Sequence, residues 1–256
     1  LRLSVTVPQV LLGLPMKGSQ NPYLVSPAGA AGFEASYEEG CSGLRVDNVR
    51  AEVAGKLSNF WSRLASGLGL SGCASLSLTS GRSWSPSSLY AASTVALLHV
   101  VARSHADVLN EYEIVEMGRM ADPWEGPPWW QAVIDALRFS SATGKVVAYR
   151  SEEEAVELVK ASVSVTPEAS EAVGEGVGAE ELGESVYNAL VHIIGELVLE
   201  ASEEVRGEGD LAKAALKRLR VQNAVAHAIY GVRTPEAGCV WVPGLPGVLE
   251  LVCPGG

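Results

Sequence analysis

At 256 residues and 47% hydrophobic side chains, the chain can bury a sizeable core, as one large domain or as two lobes sharing a cleft, and is too apolar to be disordered. Its 19 Lys and Arg against 30 Asp and Glu leave a formal net charge of −11, which excludes a broad nucleic-acid or anionic-membrane surface but leaves room for small anions at helix ends. No apolar run approaches the roughly 20 residues of a membrane helix, since residues 10–16 are interrupted by Gly13 and Pro15, so the expectation is a soluble, cytoplasmic protein.

Residues 1–7 alternate apolar and polar side chains as a half-buried strand does, and Pro8 is expected to interrupt it before a second short strand at 10–14. Asn21-Pro22 marks a turn ahead of strand residues 23–26, a small-residue run at 27–32 and a segment at 33–37, with another strand at 43–46. From Asp47 the period becomes helical, with Val49, Val53, Leu57, Phe60, Trp61, Leu64 and Leu68 on one face. Residues 74–79 return to alternation, and residues 111–121 read as a helix ended by Asp122-Pro123.

Three tryptophans then fall in Trp124-Glu-Gly-Pro-Pro-Trp-Trp130, placed either to line a pocket or to staple a loop to the core. A short helix is predicted over 131–137 and a strand over 145–149. Beyond the charge run 151–154, a strand is predicted at 158–166, a glycine-weakened helix or loop at 167–177, a long helix at 180–205 and a last one at 210–230. Two short strands, near 239–242 and 248–252, complete the order. Strands early and helices late indicate an α+β fold in two lobes, residues 1–155 and 156–256.

Cys41, Cys73, Cys239 and Cys253 are far apart, with no C-x-x-C pair and no histidine at zinc spacing, which predicts reduced and mostly buried thiols. The four histidines are equally scattered.

The chain is organised around residues 79–99, a polar loop feeding an apolar helix. Ser85 suits an N-cap, and Pro86 suits the first helical position with its fixed φ and missing N–H. Small residues follow, so the free backbone donors of the first turn can meet an anion. A capped core helix without a ligand begins the same way.

Strand, Pro turn, strand, long helix, strand, small-residue loop and helix together resemble the GHMP small-molecule kinases, with the phosphomevalonate kinase branch nearest. The family's P-G-K-x-x-x-x-G motif falls on Pro8-Gln9-Val10-Leu11-Leu12-Gly13, with no lysine, and Lys17 is the one candidate replacement. The G-L-G-S-S-A-A loop falls on residues 84–95, with Trp84-Ser85-Pro86 in place of Gly-Leu-Gly and Ser87 and Ser88 as the serine pair. The S-G-x-D motif falls on Ala132-Val133-Ile134-Asp135, and the last glycine-rich motif opens at Val252-Cys-Pro-Gly255-Gly256, where the C-terminal lobe stops inside it.

The resemblance implies a two-lobed fold with a central cleft. It also implies ATP held by Ser85, Ser87, Ser88, Gly255 and Gly256, Mg²⁺ on Ser88, and Asp135 as the catalytic carboxylate. The reaction it implies is phosphoryl transfer to a small phosphorylated or carboxylated acceptor, as in isoprenoid biosynthesis. The departures from the motifs favour an alternative, a catalytically inactive relative that binds a ligand or partner. An unrelated serine hydrolase is the weakest reading, because no G-x-S-x-G elbow with a spaced His and Asp is present.

Overall fold

The computed structural model describes residues 1–80 and 83–255. Strand β1 (Arg2–Leu12) runs through Pro8 instead of stopping there. Among the described residues it pairs only with β2 (Tyr23–Glu39), and the register shifts between Val7 and Pro8, so an edge position with a bulge accommodates the missing N–H. The strand at 23–26, the small-residue run at 27–32 and the segment at 33–37 form one 17-residue β2. The small residues have a use: Gly29, at φ +155°, lies under the Trp84 ring, and a Cβ there would come within 2.6 Å of Trp84 Cη2.

Strand β3 (Gly43–Asp47) lies parallel to β4 (Gly72–Ser80), which is antiparallel to β2. Between them α1 (Ala51–Leu68) buries Val53, Leu57, Phe60, Trp61 and Leu64, the face its spacing predicts, and ends at left-handed Gly69. Helix α2 (Pro86–Ser104) is buried almost all round, as befits a helix apolar on every side. It is packed by α1, β1, β2, α3 (Glu111–Ala121) and α4 (Pro128–Thr143). The Asn110/Glu113 capping box starts α3; α4 begins earlier than its periodicity suggests because Pro128 is compatible with a first helical turn.

Strands β5 (Val147–Tyr149) and β6 (Ala155–Glu157) complete a six-stranded sheet, the charge run between them forming one 3₁₀ turn. A three-stranded sheet follows, ordered β7 (Ser164–Ala172), β9 (Val248–Gly255) and β8 (Val240–Pro243). The expected helix or loop at 167–177 is therefore largely strand, because pairing with apolar β9 outweighs a weak local pattern. Helices α5 (Ala179–Leu182), α6 (Glu184–Glu208), α7 (Leu211–Leu216) and α8 (Leu219–Tyr230) intervene, the last predicted helix being broken at Lys217-Arg218. One apolar core joins both sheets.

The cysteines correct the expectation of free thiols. Cys41 is bonded to Cys73 and Cys239 to Cys253. The pairs follow from register: Cys73 lies opposite Gly43, beside the β2–β3 turn that carries Cys41, and Val240 opposite Val252 brings Cys239 to Cys253. Among the described residues, no helix is long and apolar enough to cross a membrane.

Candidate functional site

Two clusters hold Ser85, Ser87, Ser88 and Asp135. At the first turn of α2, Ser85 caps the helix by accepting from the Ser88 N–H at 3.3 Å. Ser88 Oγ donates to Gln9 Oε1 at 3.0 Å, and Ser85 Oγ lies 3.1 Å from the same oxygen. Ser87 faces the other way. Its N–H donates to Glu250 Oε1 at 2.9 Å and its hydroxyl to Oε2 at 2.7 Å.

Glu250 comes from β9, between Val242 of β8 and Ser170 of β7, and is 1% exposed. Burial pushes its carboxyl up, while the bonds from Ser87 pull it back down. Among the described residues no cation pairs with it. The only sequence signal for this residue is a lone charge inside Val248-Leu-Glu-Leu-Val252.

This geometry decides how far the phosphate loop fits a nucleotide. Ser85, Ser87 and Ser88 are buried, their hydroxyls are engaged by Gln9 and Glu250, and the neighbouring Trp84 ring packs over Gly29. In this arrangement the Ser87 N–H and hydroxyl are taken up by Glu250 and the Ser88 hydroxyl proton by Gln9, so these donors are engaged within the chain. Lys17 is ion-paired with Glu180 and does not serve these serines. Gly255 is exposed at the end of β9 opposite Ser164 in β7, and Gly256 lies outside the described residues.

The second cluster surrounds Asp135, about two turns into α4 and 2% exposed. Arg119 of α3 donates to Asp135 Oδ2 through Nε at 2.9 Å, and its Nη2 lies 2.8 Å from that oxygen and 2.9 Å from Glu152 Oε1. Gln131 Nε2 bridges Asp135 Oδ1 at 3.0 Å and Asp122 Oδ2 at 2.8 Å. Burial raises the Asp135 carboxyl to about 6, against the pull of Arg119 and Arg138. Such a group exchanges a proton close to neutrality.

Asp135 opens onto a cleft of about 430 Å³ whose walls include Tyr23, Arg119, Trp124, Trp129, Tyr149 and Arg150. Two of the three clustered tryptophans thus line the cleft, while Trp130 is core. Tyr23 Oη donates to the Trp129 carbonyl at 3.0 Å. Tyr149 differs: its buried Oη makes no well-formed hydrogen bond among the described residues, although the Arg119 guanidinium stands beside it. A hydroxyl so placed in a cleft wall, beside a guanidinium, can donate to a polar ligand atom. The Arg119 side chain is 42% exposed and can face the same ligand. A larger groove of about 650 Å³ shares Asn21 and Arg150 with this cleft and continues past Val156, Val191 and Leu199.

The serines and Asp135 therefore do not meet in one pocket. Between them lies a buried scaffold in which Tyr90 Oη donates to Asp122 Oδ1 at 2.8 Å and Arg138 Nη1 to Asp122 Oδ2 at 2.8 Å. Arg138 Nε also donates to Thr94 Oγ1 at 3.0 Å, and its guanidinium lies 5.6 Å from the Phe60 ring centre and 5.7 Å from that of Tyr90. Sequence reasoning missed Arg119, Gln131, Tyr149 and Arg150, which carry no motif and become neighbours only through packing of α3, α4 and β5.

No family profile and no curated protein matches the sequence. Solved structures do. L. major mevalonate kinase in complex with R-mevalonate aligns at TM-score 0.65 and 13% identity, over 98% of this chain and 86% of that one. The chain has a GHMP-kinase-like fold. Mevalonate diphosphate decarboxylase from Staphylococcus aureus aligns at TM-score 0.62 and 11% identity, over 99% and 87% of the two chains. Phosphomevalonate kinase from Streptococcus pneumoniae aligns at TM-score 0.58 and 9% identity, over 99% and 91%. At these identities the likeness defines architecture, and it does not single out one branch.

Proposed function

We propose that this GHMP-like protein binds a small molecule bearing a phosphate or carboxylate in the Asp135 cleft, and that it does so without transferring a phosphoryl group from ATP. The observation that carries this is the unmet Tyr149 hydroxyl beside Arg119 at the wall of that cleft. A carboxylate or phosphate oxygen there accepts from both Tyr149 and Arg119, while Asp135 accepts from a hydroxyl on the ligand. The cleft volume is within the usual range for small-ligand sites. The engaged serines at α2 weigh against nucleotide use, because a kinase needs free donors to cradle the triphosphate.

Calorimetric titration with a phosphorylated hydroxy acid such as 5-phosphomevalonate tests the reading. Binding should weaken by at least about tenfold in Arg119→Met, as loss of a charge-assisted bond requires, and millimolar Mg-ATP should give no heat. Binding unaffected by Arg119→Met refutes the cleft assignment.

The second reading is ATP-dependent phosphorylation of such an acceptor, of the phosphomevalonate kinase type. It is favoured by Asp135, whose raised carboxyl can take a proton from an acceptor hydroxyl. Acceptor-dependent ADP release by wild type that falls sharply in Asp135→Asn would establish it over the first.

A further inference from the structure

We propose that the groove between α6 and the β5–β6 edge is the tail subsite for the ligand of the Asp135 cleft, which makes that ligand an amphiphilic anion, a phosphate or carboxylate head on an apolar chain. This rests on the cleft holding an anionic head and adds the chemistry of the remainder.

Three observations carry it. The first is continuity. Asn21 and Arg150 stand in the walls of both spaces, the cleft of about 430 Å³ and the groove of about 650 Å³. Arg150 is anchored at the junction, its Nε donating to the Gln20 carbonyl at 2.6 Å and its Nη1 to Glu154 Oε2 at 3.1 Å. A ligand with its head at Tyr149 and Arg119 has the groove as its next open space past Arg150.

The second is the character of the walls. Pro22, Ala148, Val156, Val191 and Leu199 make them mostly apolar, and Val156 and Leu199 are 43% and 50% exposed. The charged side chains among them are largely exposed and pair with one another, Glu154 with Arg150 at 3.1 Å and Glu196 with His192 at 3.9 Å. Covering such walls with methylene groups is favourable.

The third is Gly195, in the middle of the 25-residue α6, where glycine disfavours the helix relative to any straight-chain residue. Neither backbone nor packing requires it. Its φ is not positive, and a Cβ there would meet nothing nearer than Asn21 Oδ1 at 3.7 Å, an ordinary contact. The missing side chain instead leaves the groove open beside Asn21, where groove and cleft join.

The test is calorimetric titration with butyl phosphate, octyl phosphate and octanol, with 5-phosphomevalonate as a head that carries no long chain. A methylene contributes up to about fourfold in affinity when fully buried and about twofold in a half-open groove, so wild type should bind octyl phosphate on the order of tenfold more tightly than butyl phosphate. Octanol, which lacks the anionic head, should bind at least about tenfold more weakly than octyl phosphate. Gly195→Leu fills the groove and should bring octyl phosphate back to the affinity of butyl phosphate, while 5-phosphomevalonate binds as to wild type. Leucine is the better helix former, so this variant should melt no lower than wild type, which separates a blocked groove from a misfolded protein. Leu199→Asp, at a half-exposed position, should abolish the same gain by setting a carboxylate beside the chain.

Arg119→Met should weaken butyl and octyl phosphate alike and leave their ratio unchanged. Equal binding of the two phosphates by wild type, no binding of octyl phosphate, or a chain-length gain that survives in both Gly195→Leu and Leu199→Asp overturns the tail subsite while the dependence on Arg119 stands. Binding of both phosphates that Arg119→Met leaves unchanged overturns the cleft assignment and the tail subsite with it.

Discussion

Replacing Asp135 by asparagine should stabilise the protein, and by an amount that depends on pH. The folded protein raises this carboxyl from 3.8 to about 6, mainly by burial. An acid with a raised folded-state value holds its proton more tightly when folded than when unfolded. Its contribution to stability is therefore fully present below about pH 4 and is lost as pH climbs through about 6. At 1.36 kcal/mol per pH unit, the difference between 3.8 and about 6 amounts to about 3 kcal/mol of destabilisation by the ionised form above pH 7.

Asparagine mimics the neutral acid but turns its amide toward either Arg119 or Gln131, forfeiting about 1 kcal/mol of hydrogen bonding. The net expectation is a gain of about 2 kcal/mol at pH 8 that shrinks as pH falls and becomes a loss of up to about 1 kcal/mol below about pH 4. Urea unfolding of wild type and Asp135→Asn at several pH values between 4 and 8 measures it. A constant difference across that range, or a loss of stability at pH 8, would refute the claim that Asp135 is ionised at a cost. A gain would mark Asp135 as a group held against the interest of stability, which is characteristic of functional residues.

Asp122→Ala should cost about 3–5 kcal/mol in urea unfolding, because it strands buried Arg138 without its ion pair and leaves Tyr90 and Gln131 short of an acceptor; a cost below about 1 kcal/mol would mean that Arg138 finds other partners. Gly29→Ala should lower stability by about 1–3 kcal/mol through its clash with the Trp84 ring, and an unchanged melting temperature would show that the ring can move aside. Reducing both disulfides should lower the melting temperature. From separations of 32 and 14 residues, loop entropy assigns about 3.7 kcal/mol to Cys41–Cys73 and about 3 kcal/mol to Cys239–Cys253. Single cysteine-to-serine variants should fall in that order, and no shift on full reduction would contradict the pairing.

Most of the architecture was legible in the sequence where the hydrophobic period is strong. The buried face of α1, the apolar helix α2 with its capped start at Ser85 and the strand before it follow from local pattern, and order alone suggested the GHMP-like fold. What was not legible depends on pairing across distance. Strand β7 exists because β9 needs a neighbour, and the thiols meet because of register between strands.

The candidate site divides along the same line. Asp135 could be proposed from its place after the third motif, and it does stand in a cleft. Its partners Arg119, Gln131 and Tyr149 have no sequence signature, since each is an ordinary helix or strand residue until α3, α4 and β5 are packed. At the helix start that local pattern marks as suiting an anion, Ser87 donates to a carboxylate of the chain itself, Glu250, which no motif announces.

The first turn of α2 also joins parts of the chain made at very different times. Its serines bond Gln9 across 76 and 79 residues and Glu250 across 163. Contacts of such separation form late, because most of the chain must be ordered to bring them together. During synthesis, Ser87 and the central helix it begins wait for residue 250 before their donors are met. Until then the middle of the eventual core is an apolar helix with an open polar end, a state in which a nascent chain is open to misassembly and needs protection.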